Sequence, residues 1–410
     1  MNPRIYLLAL GTFTVGTEGY VIAGVLPEVA HDLHSTVSVC GQMVTVFALV
    51  YAIAGPPLIG QFQHVPLKRL LIWAAVGFAA ANVLAAVSPD IATLAVARVL
   101  AALGAALFAA PAAAAAAALS KPEELPRAIA VTAGGNAVAL TLGAPIGTVV
   151  GAALGWRASF AFVAALALVT ALAVLAWLPD VPGTAGATTG RLNLLRRGPV
   201  RWGLVTTFGL FLAAYTMYTY LSPIAHRATG LGSTGVAALM VVFGAGGFTG
   251  GRLIGSVLGK HALATVLRTV LLLIAGFLAV LTLLTVAHVP TAARIVAFPL
   301  LFVFGMAWWS GGISQQTRLA GLAPQQRSQA LGLHFSAQFL GVAVAGALGG
   351  LTLSTAGAAG VPAVAGAIAL AALVSVRQVL PTAHDGGDDG TAPGATTGAS
   401  TGVRGSTRVE

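Results

Sequence analysis

An all-α integral membrane protein, with twelve transmembrane helices as two six-helix pseudo-symmetric halves, is the fold class this sequence predicts. Three observations carry the prediction. Hydrophobic residues make up 57% of the 410-residue chain and charged residues 8%, whereas a soluble globular domain is about 25% charged. Apolar runs long enough to cross a hydrocarbon core of about 30 Å recur along nearly the whole length, separated by short polar or Gly/Pro breaks. Finally, PEELPRAIAVTAGGNAVALTLGAPIG and PQQRSQALGLHFSAQFLGVAVAGALGG both open on Pro, polar residues and Arg and then run into a Gly/Ala-rich helix, with Arg127 and Arg327 200 residues apart.

The six spans of the first half read as 5–26, 38–60, 69–88, 91–119, 127–153 and 158–178. The first is interrupted near its middle by Glu18, the only acid placed well inside an apolar run; the other ten acids read as loop or tail residues. A charged carboxylate at mid-bilayer costs at least about 2.5 kcal/mol, so Glu18 is expected to be protonated, paired or facing a wet cavity. Arg4 ahead of this run resembles the start of a secretory signal, but its length, Glu18 and the eleven further spans favour a membrane helix. The fourth span carries Arg98 and an Ala-rich stretch around Pro111. The fifth is Gly-rich, with Gly134, Gly135, Gly143, Pro145, Gly147 and Gly151. Glycines let helices approach closely, and Pro145 removes one backbone hydrogen bond and bends its helix.

The second half reads as 202–224, 236–258, 265–287, 293–317, 328–354 and 361–378. Its seventh span (TMYTYLSP) brings Tyr215, Tyr218 and Tyr220 together, and the tenth has Trp308 and Trp309 among glycines. Such side chains offer apolar faces with one polar tip. Tyr215, Tyr218 and Trp308 are therefore candidate substrate contacts, with Asn136 and Gln42 as polar ones, while Tyr220 reads as an interfacial belt residue. The halves occupy 1–178 and 202–378, joined by a basic, Gly/Thr/Pro-rich cytoplasmic linker at 179–201, and 379–410 reads as a disordered cytoplasmic tail.

With the N-terminus inside, fourteen basic residues, among them Arg4, Lys68, Arg69, Lys121, Arg127, Lys260 and Arg318, fall in inner loops and helix ends, against Arg157, Arg227 and Arg294 outside. Both termini are thus expected in the cytoplasm and the chain in the plasma membrane. The formal charge of +10 follows from that topology and is no nucleic-acid footprint, because the basic residues are scattered over loops. One cysteine, Cys40, excludes an intramolecular disulfide, and the eight His form no ligand cluster, so no metal or other cofactor is expected. No GxxxxGK loop or HExxH is present, and the chain is read as no enzyme and as driven by an ion gradient rather than by ATP. Parallel six-helix repeats with a central site are the plan of many secondary transporters.

At these residues the chain, up to about 380, resembles the major facilitator superfamily, and within it the twelve-spanner drug:proton antiporters, including actinobacterial chloramphenicol exporters and arabinose-efflux-permease-like proteins. The resemblance rests on GTEGYVIAGVLPEVAHDL, LAVARVLAALGAALFAA, GGNAVALTLGAPIGTVVGAALGWRASF and RSQALGLHFSAQFLG. It implies a proton-coupled antiporter, working as a monomer, that exports small amphipathic molecules by alternating access; export of a sugar or of an endogenous secondary metabolite is the alternative. It implies further that Arg98 relays protons, with Glu18 as a conceivable partner, and that the fifth-span glycines and Pro145 form the antiporter motif. One departure stands out. The loop GPPLIGQFQHVPLKRLL has Lys68 and Arg69 but no acid, and its counterpart GGFTGGRLIGSVLGKHAL keeps Arg252 but has Gly255 where an acid is expected. A charge-based inner lock is therefore in doubt, with Gln61, Gln63 or His64 as substitutes.

Overall fold

A computed structural model describes residues 2–62, 64–121, 123–183, 191–287 and 289–377; the expected tail and the middle of the linker lie outside these. Thirteen α-helices follow one another among the described residues: α1 (Ile5–Asp32), α2 (Val37–Gln61), α3 (Leu67–Ala86), α4 (Ile91–Ala118), α5 (Leu125–Val138), a π turn (Ala139–Gly143), α6 (Ala144–Leu154) and α7 (Trp156–Trp177), then α8 (Gly198–Thr219), α9 (Leu221–Thr229), α10 (Ser233–Leu258), α11 (Leu263–Ala287), α12 (Pro290–Leu322) and α13 (Arg327–Arg377). Ten stretches, counting α5, the π turn and α6 as one, are long and apolar enough to cross a membrane, and α8 with α9 forms one further span bent by 58°. At about 1.5 Å per residue the 51-residue α13 would reach about 76 Å, far beyond one crossing. Gly357, at φ 69°, takes a conformation closed to L side chains and divides it into 327–356 and 358–377, which brings the spans to twelve.

Several boundaries differ from the sequence reading. Pro27 does not end the first helix. It sits inside α1, which runs on to Asp32 and draws Glu28 into the helix, contrary to its assignment to a loop. The left-handed His34, at φ 49°, lies in the turn that follows. Thr36 then caps α2, its hydroxyl accepting from Val39 N–H at 3.2 Å, and Asp90 caps α4, accepting from Thr93 N–H at 2.8 Å. The predicted loop between 354 and 361 contracts to the single break at Gly357.

The halves meet along two seams. α2 lies on α13, and α10 lies on α5, the π turn and α6. In span numbers these are two against eleven and five against eight, pairs that exchange when six is added, as a two-fold relation between halves requires. Hydrogen bonds that join the halves include Ser233 Oγ to Glu28 at 2.7 Å, Gln42 Nε2 to Gly346 O at 3.2 Å, Thr45 Oγ1 to Ala343 O at 2.8 Å, Thr148 Oγ1 to Met240 Sδ at 3.5 Å and Thr141 Oγ1 to Gly244 O at 3.0 Å. They run from mid-span to the end where α1 turns into α2. The molecule is thus sealed at that end.

Close packing follows the glycines. A methyl group on Gly143 would collide with Thr17, on Gly147 with Val21, and on Gly151 with Val25 and Ser159, while Gly135 abuts the backbone at Ala9 and Phe13. The partners advance in steps of four on both helices, the register of interdigitating i±4 ridges. Gly134 meets nothing and, contrary to the sequence reading, takes no part in this seam. Threonine hydroxyls buried in the spans turn back on the carbonyl four residues earlier, as Thr17, Thr132, Thr207 and Thr216 do, which satisfies them without water.

Candidate functional site

Glu18 of α1 and Arg98 of α4 face each other in the first half, with Arg98 Nη1 in direct contact with Glu18 Oε1. Both are sealed from solvent, at 0% and 1% exposure. From α2, Met43 O accepts from Arg98 Nε at 3.4 Å, and the Phe47 ring lies under the guanidinium at 4.6 Å. Two neighbouring helices, α1 and α2, therefore hold the arginine, each contact using its planar, delocalised charge. Glu18 Oε2 is buried with no hydrogen bond. That leaves a carboxylate oxygen open to a proton. The second half offers no counterpart, because the sequence has no Asp or Glu between Asp180 and Asp385.

The π turn sits just ahead of Pro145. That proline has no N–H to give and its ring crowds the carbonyl one turn back; widening the turn to i→i+5 spacing relieves both. Here the bend predicted at Pro145 takes the form of a π turn. Thr141 in this turn also carries the bond to Gly244, and a methyl on Gly244 would strike the Thr141 backbone. The widened turn is thus where α10 of the other half comes nearest to α5.

Tyr215, Tyr218 and Trp308 come together. Tyr215 and Trp308 are 4.9 Å apart edge to face, Tyr218 lies 5.7 Å from Trp308, and Phe243 is 5.1 and 5.2 Å from Tyr218 and Trp308. Tyr20 of α1 adds a ring from the first half, 6.0 Å from Tyr218, and Asn136 donates to its hydroxyl at 3.3 Å. Tyr218 OH and Trp308 Nε1 are buried without partners. An aromatic box therefore spans the two halves, with a donor from each of two side chains left open.

Other candidates fall elsewhere. Gln42 is not in the box; its amide bonds Ser38 O and Gly346 O at the sealed end. Tyr220 is no belt residue, being 0% exposed with its hydroxyl donating to Gly346 O at 2.7 Å. It sits at the break between α8 and α9, where the span bends by 58°. Lys68 and Arg69 pair with no acid among the described residues, and Arg252 stacks at 4.8 Å on Phe248 of its own helix. Gln61 and His64 are exposed and make no bond that replaces an ionic lock, and Gln63 lies outside the described residues. The sequence reading passed over Gln315 and His334 and placed Arg318 among the inner-side basic residues, yet all three are buried. Their signal was a polar side chain inside an apolar run.

Twelve spans in two symmetry-related sets, meeting along two seams and enclosing a buried ion pair and an aromatic box, define a two-half membrane transporter. The chain belongs to the Major Facilitator Superfamily, whose sequence profile matches residues 8–326. It is 29% identical over 350 residues to the uncharacterized MFS-type transporter YbcL of Bacillus subtilis (strain 168), covering 85% of this chain and 88% of that protein. Solved structures share the fold at low identity. The D-xylose-proton symporter matches with TM-score 0.77 and 16% identity over 92% of this chain and 97% of its own. The nucleoside transporter NupG (D323A mutant) matches with TM-score 0.75 and 12% identity over 93% of this chain and 100% of its own.

Proposed function

We propose that this transporter is a proton-coupled antiporter that exports small amphipathic molecules, in the manner of the drug and chloramphenicol exporters it resembles. The buried Glu18–Arg98 pair carries this reading: Glu18 is fully buried within its span, touches a buried guanidinium, and has an oxygen left unbonded. Adding a proton to Glu18 removes its charge and frees Arg98 toward Met43 O and Phe47. That electrostatic change gives the halves a reason to rock. Residues 1–178 and 202–378 are the moving units and 179–201 their link, with the substrate between them near the aromatic box. Lys and Arg asymmetry favours cytoplasmic termini, so the sealed end faces outward, and the protein works as a monomer in the plasma membrane. Export of a sugar or an endogenous metabolite uses the same machinery and differs only in cargo.

The test is energised exchange in inverted membrane vesicles, following collapse of an imposed pH gradient as compounds are added, chloramphenicol first. Substrate-dependent proton flux that disappears in Glu18→Gln, at equal expression, is the expected result. Undiminished flux in that variant removes Glu18 from the mechanism.

A further inference from the structure

The second half holds a polar network that the proton reading does not use. Gly203 O of α8 accepts from Thr207 Oγ1 at 3.1 Å and from Gln315 Nε2 of α12 at 3.3 Å, and Thr207 Oγ1 faces His334 Nδ1 of α13 at 3.3 Å. With the single Thr207 proton placed on Gly203 O, as the bond one turn back directs it, Thr207 meets the imidazole as an acceptor and the assigned tautomer carries its hydrogen on Nδ1. No carboxylate occurs in this half to hold an imidazolium, and the neutral ring therefore presents Nε2 as a lone pair. Both ends of the network are open acceptors: His334 Nε2 and Gln315 Oε1 are buried, each residue 0% exposed, and neither has a partner. Unpaired acceptors at this depth are rare and call for a ligand or water.

What lies beside them narrows the ligand. The Phe211 ring packs at 6.3 Å on both His334 and Trp308, placing the network one ring away from the aromatic box. Arg318, one turn beyond Gln315 and 8% exposed, has its Nη1 unpaired. A cation entering this half meets a buried positive charge and no acid.

Resting on the transport reading above, we infer that His334 and Gln315 form a hydrogen-bond-accepting subsite for an uncharged aromatic molecule bearing hydroxyl or amide N–H donors, and that organic cations are excluded. The subsite joins to the Tyr215–Trp308 pair, which takes the ring.

Equilibrium binding to the full chain in lipid nanodiscs, without a pH gradient, tests this. The probes are chloramphenicol, uridine and 4-nitrophenyl β-D-xyloside, each uncharged with a ring and donors, against tetraphenylphosphonium as the cation. At least one uncharged probe should bind saturably and more tightly than the cation. His334→Leu and Gln315→Leu should each weaken it roughly three- to tenfold, the worth of one hydrogen bond, while His334→Gln, which keeps an acceptor, stays closer to wild type. Blocking the probe's hydroxyls by acetylation should weaken wild-type binding by the same factor, a readout independent of whether a variant folds. Equal or tighter binding of the cation, no binding of any uncharged probe, or affinity indifferent to both the leucine variants and acetylation overturns the subsite. Since no gradient is present, these outcomes are independent of the Glu18→Gln flux, which judges proton coupling alone.

Discussion

Removing both members of the Glu18–Arg98 pair should destabilise the protein by much less than the two single removals added together. The two side chains touch at 0% and 1% exposure. Two unit charges 4 Å apart attract by about 4 kcal/mol at an effective dielectric of about 20. Arg98→Leu strips Glu18 of its only partner, and Glu18→Gln leaves Arg98 with one long bond to Met43 O and the Phe47 face. Each single change is expected to cost about 3–5 kcal/mol, the usual consequence of leaving one buried charge uncompensated. The double variant Glu18→Gln/Arg98→Leu buries no charge, and its loss should fall well below the sum, giving a coupling energy of at least about 2 kcal/mol. Reversible unfolding in mixed SDS and detergent micelles, followed by tryptophan fluorescence, measures all four corners of the cycle. Additive single effects would refute the reasoning, because they mean that the two charges do not interact energetically at this site.

Further outcomes follow from the packing and the seams. Gly143→Val, which drives side-chain atoms into Thr17, should lower stability by about 1–3 kcal/mol in the same assay, whereas Gly134→Ala, which meets nothing, should stay within about 0.5 kcal/mol or stabilise slightly. Gln42→Leu and Thr45→Val each delete one hydrogen bond between the halves at the sealed end. Cys40, the chain's one cysteine and fully buried there, reports the opening directly. Its maleimide labelling should accelerate about two- to tenfold in each variant, the factor that one bond of about 0.5–1.5 kcal/mol allows, and an unchanged rate would count against the sealed-end assignment. Ser233→Ala should act in the same direction by releasing Glu28.

The span count was legible in the recurrence of apolar runs, and Glu18 and Arg98 stood out as charges inside such runs, with their partnership implied by the family resemblance. Tyr215, Tyr218 and Trp308 stood out as apolar rings with one polar tip, and the structure brings the three together. Where the reading failed, the deciding interaction was local geometry or an uncharged group. The first span read as ending at 26, yet α1 runs on through Pro27 and carries Glu28 to Ser233. Tyr220 looked interfacial, yet it is buried at the break where the span bends by 58°. His334, Thr207 and Gln315 lie far apart in sequence and meet only because α12 and α13 both pack on α8, and no spacing rule announces that.

The seam between α2 and α13 has one more property. Gly346 O accepts from Gln42 of one half and from Tyr220 of its own half, and Gln42 Nε2 already bonds Ser38 O on its own helix. When the halves part, Gly346 keeps Tyr220 and Gln42 keeps Ser38. Thr45 can swing its hydroxyl to the carbonyl four residues back, the partner that Thr17 and Thr216 already use. Each polar group at this seam has a spare partner at home, so separation strands none of them in a dry interior. The latch behaves like a fastener with duplicate catches, firm when shut yet free of the desolvation barrier that would otherwise make it a permanent bond.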